Sequence, residues 1–177
     1  MPLASVMASG HGATERLLTG VVARLKDDGV RVAGALRAAS VGAGTAHCDS
    51  DLFLLPDGPL VRITQNLGAG SSACRMDAGA LEEAVGLVAA QLDAGAVDLV
   101  VVNKFGLSEA EGRGFRALIA DAHGRGLPVL TGLSETHRAA FERFSEGMAT
   151  HLAADEDVIV EWCRKAAGHC AATTEEV

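Results

Sequence analysis

Residues 3–14 run Leu3-Ala4-Ser5-Val6-Met7-Ala8-Ser9-Gly10-His11-Gly12-Ala13-Thr14, and a helical stretch from Glu15 to Lys26 follows. Leu3 to Ala8 is apolar enough for a short strand. A strand, a glycine turn, a hydroxyl residue and a helix together form the layout of a phosphate-binding loop, G-x-x-x-x-G-K-[ST]. With Gly12 as the second glycine and Thr14 as the hydroxyl residue, the lysine position holds Ala13 and the first glycine position holds Met7. Backbone N–H groups and a helix N-terminus cradle an anion without a lysine. The point charge that grips the β- and γ-phosphates is gone. The stretch therefore predicts a nucleotide-binding scaffold that has left ordinary nucleotide chemistry.

Downstream, Leu17, Leu18, Val21, Val22 and Leu25 recur with a helical period, and Gly29 supplies a stop. Val30 to Leu36 follows as a strand, so the order strand–helix–strand predicts a parallel sheet with a right-handed crossover. Ser40 to Leu67 departs from this pattern. There Pro56-Asp57-Gly58-Pro59 separates the short runs Asp51–Leu55 and Leu60–Ile63, a hairpin signal. Asp77 is placed to cap a helix over Ala78–Ala94, which Gly95 ends. Asp98–Asn103 is the plainest strand, its unbroken apolar run fitting the buried centre of a parallel sheet. A helix over Ser108–His123, a strand over Leu127–Thr131, and helices over Thr136–Phe144 and Glu156–Ala167 complete the reading. The expected fold is α/β in three layers: a mostly parallel sheet of the P-loop triphosphatase type, flanked by helices, with an attached β-hairpin. Residues 1–167 form one domain, and 168–177 are expected to fray.

The 177 residues suit one such domain, and 49% hydrophobic content speaks against disorder. A net charge of −8 excludes bulk nucleic-acid or anionic-membrane binding, which needs a basic surface, but leaves room for a small anion in a local pocket. No apolar run is long enough to span a bilayer, and no basic stretch precedes the first strand, so the expected location is cytoplasmic and not membrane-embedded. Cys48, Cys74, Cys163 and Cys170 form no C-x-x-C pair and predict no thiolate metal site.

Triphosphatases of this kind end a buried strand in an Asp that holds Mg²⁺, often followed by a Glu that activates water. Here Asn103 and Lys104 stand in those places. One cation is lost at Ala13 and one is gained at Lys104, so the site would favour a metal-free oxyanion over Mg-nucleotide. Further candidates lie nearby. Ser71, Ser72 and Arg75 offer hydroxyls and a bidentate guanidinium. His11 sits inside the turn. Ser108 with Glu111 has capping-box spacing, and Glu109 with Arg113 has i,i+4 spacing. Gly112 and Gly114 are anomalous in a helix interior, and close packing against another chain or against the sheet would account for them. His137 with Glu135, and His151 with Asp155, show no catalytic order.

GHGATERLL, RVAGAL, CRMD, DLVVVNKFGLSEAEGRGFR and LPVLTGL, taken in order over residues 3–165, resemble a bacterial family of uncharacterised function. That family is related in fold to small nucleoside-triphosphatases, and its genes often lie near those for molybdate transport. The resemblance makes Cys74, Arg75, Asn103, Lys104, Gly106, Glu109, Glu111 and Arg113 family-pattern positions, and it implies molybdate or tungstate handling. The leading expectation is an oxyanion-binding protein for storage, delivery or sensing, with Gly10, His11, Gly12, Ala13 and Thr14 as donors and Lys104 and Arg75 as charge. It is expected to work as a homo-oligomer. The alternatives are a slow triphosphatase, with Lys104 replacing the loop lysine and Glu109 or Glu111 as base, and a regulatory subunit of a molybdate transporter ATPase.

Overall fold

The valine-rich run in the middle of the chain forms the centre of a seven-stranded sheet. The computed structural model describes residues 2–38, 51–64 and 76–174. In chain order the elements are β1 (Leu3–Val6), α1 (Ala13–Asp27), β2 (Val32–Arg37), β3 (Asp51–Leu55), β4 (Leu60–Arg62), α2 (Ala78–Asp93), β5 (Leu99–Phe105), α3 (Leu107–Ala110), α4 (Arg116–Gly124), β6 (Val129–Leu133), α5 (Arg138–Ser145), β7 (Thr150–Leu152) and α6 (Glu156–Thr174). A 3₁₀ turn, Glu135–His137, leads into α5. Strand order across the sheet is β4-β3-β2-β5-β6-β1-β7. The five strands from β2 to β7 are parallel, and the β3–β4 hairpin adds two antiparallel strands beside β2.

Alternation along β5 divides the core in two. Leu99 and Val101 face Leu18, Val21, Val22 and Leu25 of α1 and Ile159, Val160 and Cys163 of α6. Val100 and Val102 face Leu81 and Val88 of α2, Leu118 and Ile119 of α4, and Phe141 of α5. Helices on both faces explain why the central strands carry apolar residues at every position rather than at every second one. From β1 the chain crosses over β6 and β5 to reach β2, whereas from β6 it crosses over β1 to reach β7. The winding reverses between β1 and β6, and ligands in open parallel sheets bind at such a switch point, outside the strand C-termini.

Several expectations change. β5 runs on to Phe105, two residues past its expected end, because Phe105 is fully buried against Phe141 and Phe144. The single helix expected over Ser108–His123 is two helices, α3 and α4, parted by a turn in which Gly112 and Gly114 have φ of 88° and 59°. The glycines therefore serve a left-handed turn and not helix packing against another chain, which removes the motive for expecting a homo-oligomer from them. β7 was not foreseen; it is three residues long and carries no apolar alternation. α6 continues past Ala167 to Thr174, through a sequence in which alanine, the best helix former, recurs. Asp77 caps α2 as expected, its carboxylate accepting from Ala80 N at 3.1 Å. Among the described residues, no helix is long and apolar enough to cross a membrane.

Candidate functional site

α1 begins at a bare glycine. Gly12 is its N-cap, in left-handed geometry with φ 65° and ψ 10°, and no side chain caps the helix. Gly10 also has positive φ, 106°. The turn is closed by Ala13 N donating to Gly10 O at 3.2 Å and Arg16 N donating to Gly12 O at 3.1 Å. The first amides of a helix have no partner within it, and the helix dipole adds partial positive charge there. Thr14, the second residue of α1, is buried, its hydroxyl oxygen accepting from Ala8 N at 3.0 Å. That bond leaves the hydroxyl proton free to donate. His11 is exposed, and its carbonyl accepts from the Arg16 guanidinium at 3.1 Å.

Asn103 reaches this turn from β5 even though β6 lies between β5 and β1. The bridge is Gly132, on β6, which pairs with Val6 of β1. A Cβ placed on Gly132 would lie 2.9 Å from Asn103 Oδ1, 3.1 Å from Thr14 Cγ2 and 3.2 Å from Leu18 Cδ1. The absence of a side chain at position 132 therefore leaves the Asn103 amide and the Thr14 methyl bordering one small space across an intervening strand. Asn103 is only 6% exposed, and neither Oδ1 nor Nδ2 has a hydrogen-bond partner among the described residues. Buried amides are nearly always bonded, and an orphaned one signals a missing partner. Sequence reading named Asn103 but missed Gly132; a glycine inside an apolar strand, the mark of close approach, was the available signal.

The β5–β6 register shifts between Val102 and Phe105, which face the same core, so Asn103 and Lys104 occupy a bulge between them. Bulges re-aim side chains and gather beside active sites. Lys104 is half-buried; its Cγ and Cε lie 3.8 and 3.7 Å from the Cβ position of Gly106, and its ammonium meets no carboxylate among the described residues. Arg37, at the end of neighbouring β2, lies 3.9 Å from Glu15 in the first turn of α1.

Glu109 is 5% exposed, and its carboxylate pairs with neither Arg113 nor any other cation among the described residues. One carboxylate oxygen accepts from Gly106 N at 2.9 Å, and the other accepts from Phe115 N at 3.0 Å. The capping interaction of α3 thus joins Gly106 to Glu109, not Ser108 to Glu111. Ser108 is instead buried beside the Met76 sulfur at 3.8 Å. Arg113 pairs with Glu111 on the surface. With both oxygens committed to backbone amides, Glu109 is a clamp on the loop after β5 rather than a free base. His151, for which the sequence offers no catalytic order with Asp155, bridges Ser5 and Glu142, each at 2.6 Å. Ser5 is 2% exposed, so the trio is no accessible nucleophile. Ser71, Ser72 and Arg75, together with Cys48 and Cys74, fall outside the described residues. Cys163 is buried, which pushes its thiol up to about 12. No group of three or more His, Cys, Asp or Glu side chains is placed to hold a metal among the described residues.

A family model matches residues 3–162, which hold the whole described sheet and both halves of this site. The chain belongs to the DUF2478 family. That family is described as proteins of unknown function. The DUF2478 chain is also 42% identical over 110 residues to the molybdenum import ATP-binding protein ModC 2 of Bradyrhizobium diazoefficiens; the match covers 62% of this chain and 12% of that protein. Among solved structures it is similar to the solution structure of a human cancer-related nucleoside triphosphatase, with a TM-score of 0.57 and 18% identity, covering 86% of this chain and 88% of that one. The fold is accordingly that of a P-loop triphosphatase, an α/β sandwich with a seven-stranded, mostly parallel sheet.

Mg-nucleotide, which the fold family implies, finds a poor fit. Ala13 supplies no phosphate-gripping charge, Asn103 supplies no metal carboxylate, and Glu109 is engaged elsewhere.

Proposed function

We propose that this DUF2478 chain binds a small oxyanion, molybdate or tungstate, at the N-terminus of α1, for storage, delivery or sensing. The observation that carries the reading is the Asn103 amide, buried and, among the described residues, unpartnered, beside Thr14 at the uncapped start of α1. An oxyanion there accepts from the free amides of the turn, from the Thr14 hydroxyl and from Asn103, with Lys104 adding positive charge from the β5 end. The choice of molybdate or tungstate leans on the likeness to a molybdenum import protein. The same likeness supports a second reading, in which the chain acts beside a molybdate transporter's ATPase subunit. A slow triphosphatase has less support, because both oxygens of one candidate base already bond backbone amides.

Calorimetry with sodium molybdate and sodium tungstate on the full chain tests the first reading. Loss of a charge-assisted contact lowers affinity by about ten- to a hundredfold. Lys104→Glu should show that loss. Gly12→Val should also show it, because valine is strained at φ 65° and its Cβ would lie 3.1 Å from the Arg16 guanidinium. Equal affinity in parent and both variants would place the anion elsewhere.

A further inference from the structure

Charge alone does not choose among oxyanions of similar size, but a buried primary amide does. Its nitrogen must donate and its oxygen must accept, whichever way the group is turned. At Asn103 both atoms are orphaned among the described residues. The surrounding turn holds donors: the first amides of α1 and the Thr14 hydroxyl, whose oxygen is occupied by Ala8 N. A fully deprotonated oxyanion only accepts. It would satisfy the Asn103 nitrogen and leave the oxygen buried without a partner. An oxyanion that carries an O–H satisfies both.

We propose that Asn103 is a specificity-determining residue that makes this site select oxyanions bearing an O–H, such as hydrogenphosphate, over those without one, such as sulfate. The inference rests on the oxyanion cradle proposed above and deepens it. The titratable and charged groups on the turn and the first turn of α1 are His11, Glu15 and Arg16, with Arg37 at the end of β2; Lys104 and Glu109 follow on the β5 side, Lys104 against Gly106. Arg37 faces Glu15, and Glu109 is committed to backbone amides. This mixed set attracts sulfate at least as strongly as phosphate, whose mean charge near neutral pH is no larger. A preference for phosphate therefore arises from the acceptor and not from Coulomb attraction. Molybdate, which carries no O–H near neutral pH, is held in protonated form, with one proton drawn from solvent.

Calorimetry of the full chain at one neutral pH, with inorganic phosphate, sulfate and molybdate in turn, tests this. An unpaired buried acceptor changes affinity by about ten- to a hundredfold, so phosphate should bind at least tenfold more tightly than sulfate. Asn103→Leu removes both amide atoms at similar volume and should bring the ratio close to one; Asn103→Ala serves should the leucine variant fail to fold. Equal binding of phosphate and sulfate by the parent overturns the inference, since a water then supplies the donor. A phosphate preference that survives both variants overturns it as well, placing selectivity elsewhere. Binding of molybdate without phosphate or sulfate defeats this inference while leaving the cradle reading intact. Failure of all three anions to bind defeats both.

Discussion

Gly132→Ala puts the geometry of the site to a quantitative test without any ligand. The added methyl would stand 2.9 Å from Asn103 Oδ1, closer than a real Cβ tolerates, and 3.1 and 3.2 Å from Thr14 Cγ2 and Leu18 Cδ1. Gly132 does not have positive φ, so no backbone strain enters. Overpacking of a filled core costs about 1–3 kcal/mol. Replacing glycine by alanine recovers about 0.4–1 kcal/mol through the unfolded chain. The net expectation is a loss of about 0–2.6 kcal/mol, centred near 1 kcal/mol, where it lowers Tm by about 2–4 °C for a domain of this size. The closest contact is with Asn103, so the same substitution in an Asn103→Ala background should cost less, with a coupling of about 1 kcal/mol between the two positions. Urea denaturation of the four proteins in the cycle measures this. An identical loss in both backgrounds would refute the claim that Asn103 reaches across β6 over a bare glycine.

Two further outcomes follow from the same structure. Glu109→Ala strands the amides of Gly106 and Phe115 and should destabilise the chain by about 2–4 kcal/mol in denaturant unfolding, with Glu109→Gln losing less because one acceptor remains; a loss below about 0.5 kcal/mol would show that the clamp is not formed. Burial raises the Cys163 thiol from 9.0 to about 12, so the folded state holds its proton where the unfolded state has released it. The stability tied to that proton is fully present below pH 9 and is lost as pH rises towards 12, and a thiol reagent at mildly alkaline pH should label Cys163 only upon unfolding.

Much of the fold is written in local pattern. The helical period of Leu18, Val21, Val22 and Leu25, the turn at Pro56–Pro59 and the unbroken run Leu99–Val102 each specify an element that the structure contains. A hydrophobic period fixes which face must be buried, and a turn residue fixes where the chain can reverse, and neither needs knowledge of distant neighbours. The glycine turn before α1 was legible for the same reason, as were the replacements at Ala13, Asn103 and Lys104.

What the sequence could not settle depends on which residues meet through space. The run after Lys104 has helical spacing throughout, yet Glu109 turns inward to hold Gly106 and Phe115, and the chain breaks between α3 and α4 around Gly112 and Gly114. Spacing allowed Glu109 to pair with Arg113; burial decided against it, because two backbone donors in a closed interior outbid a solvated cation. Gly132 is the clearest case. In the chain it is one small residue in the run Leu130–Leu133. Only the strand order, which sets β6 between β1 and β5, turns its missing side chain into the space that Asn103 and Thr14 both border. The sequence by itself determined the elements and the chemistry available at their ends; the tertiary structure alone decided which of those ends share a site, because strand order and close packing are set by contacts between residues far apart in the chain.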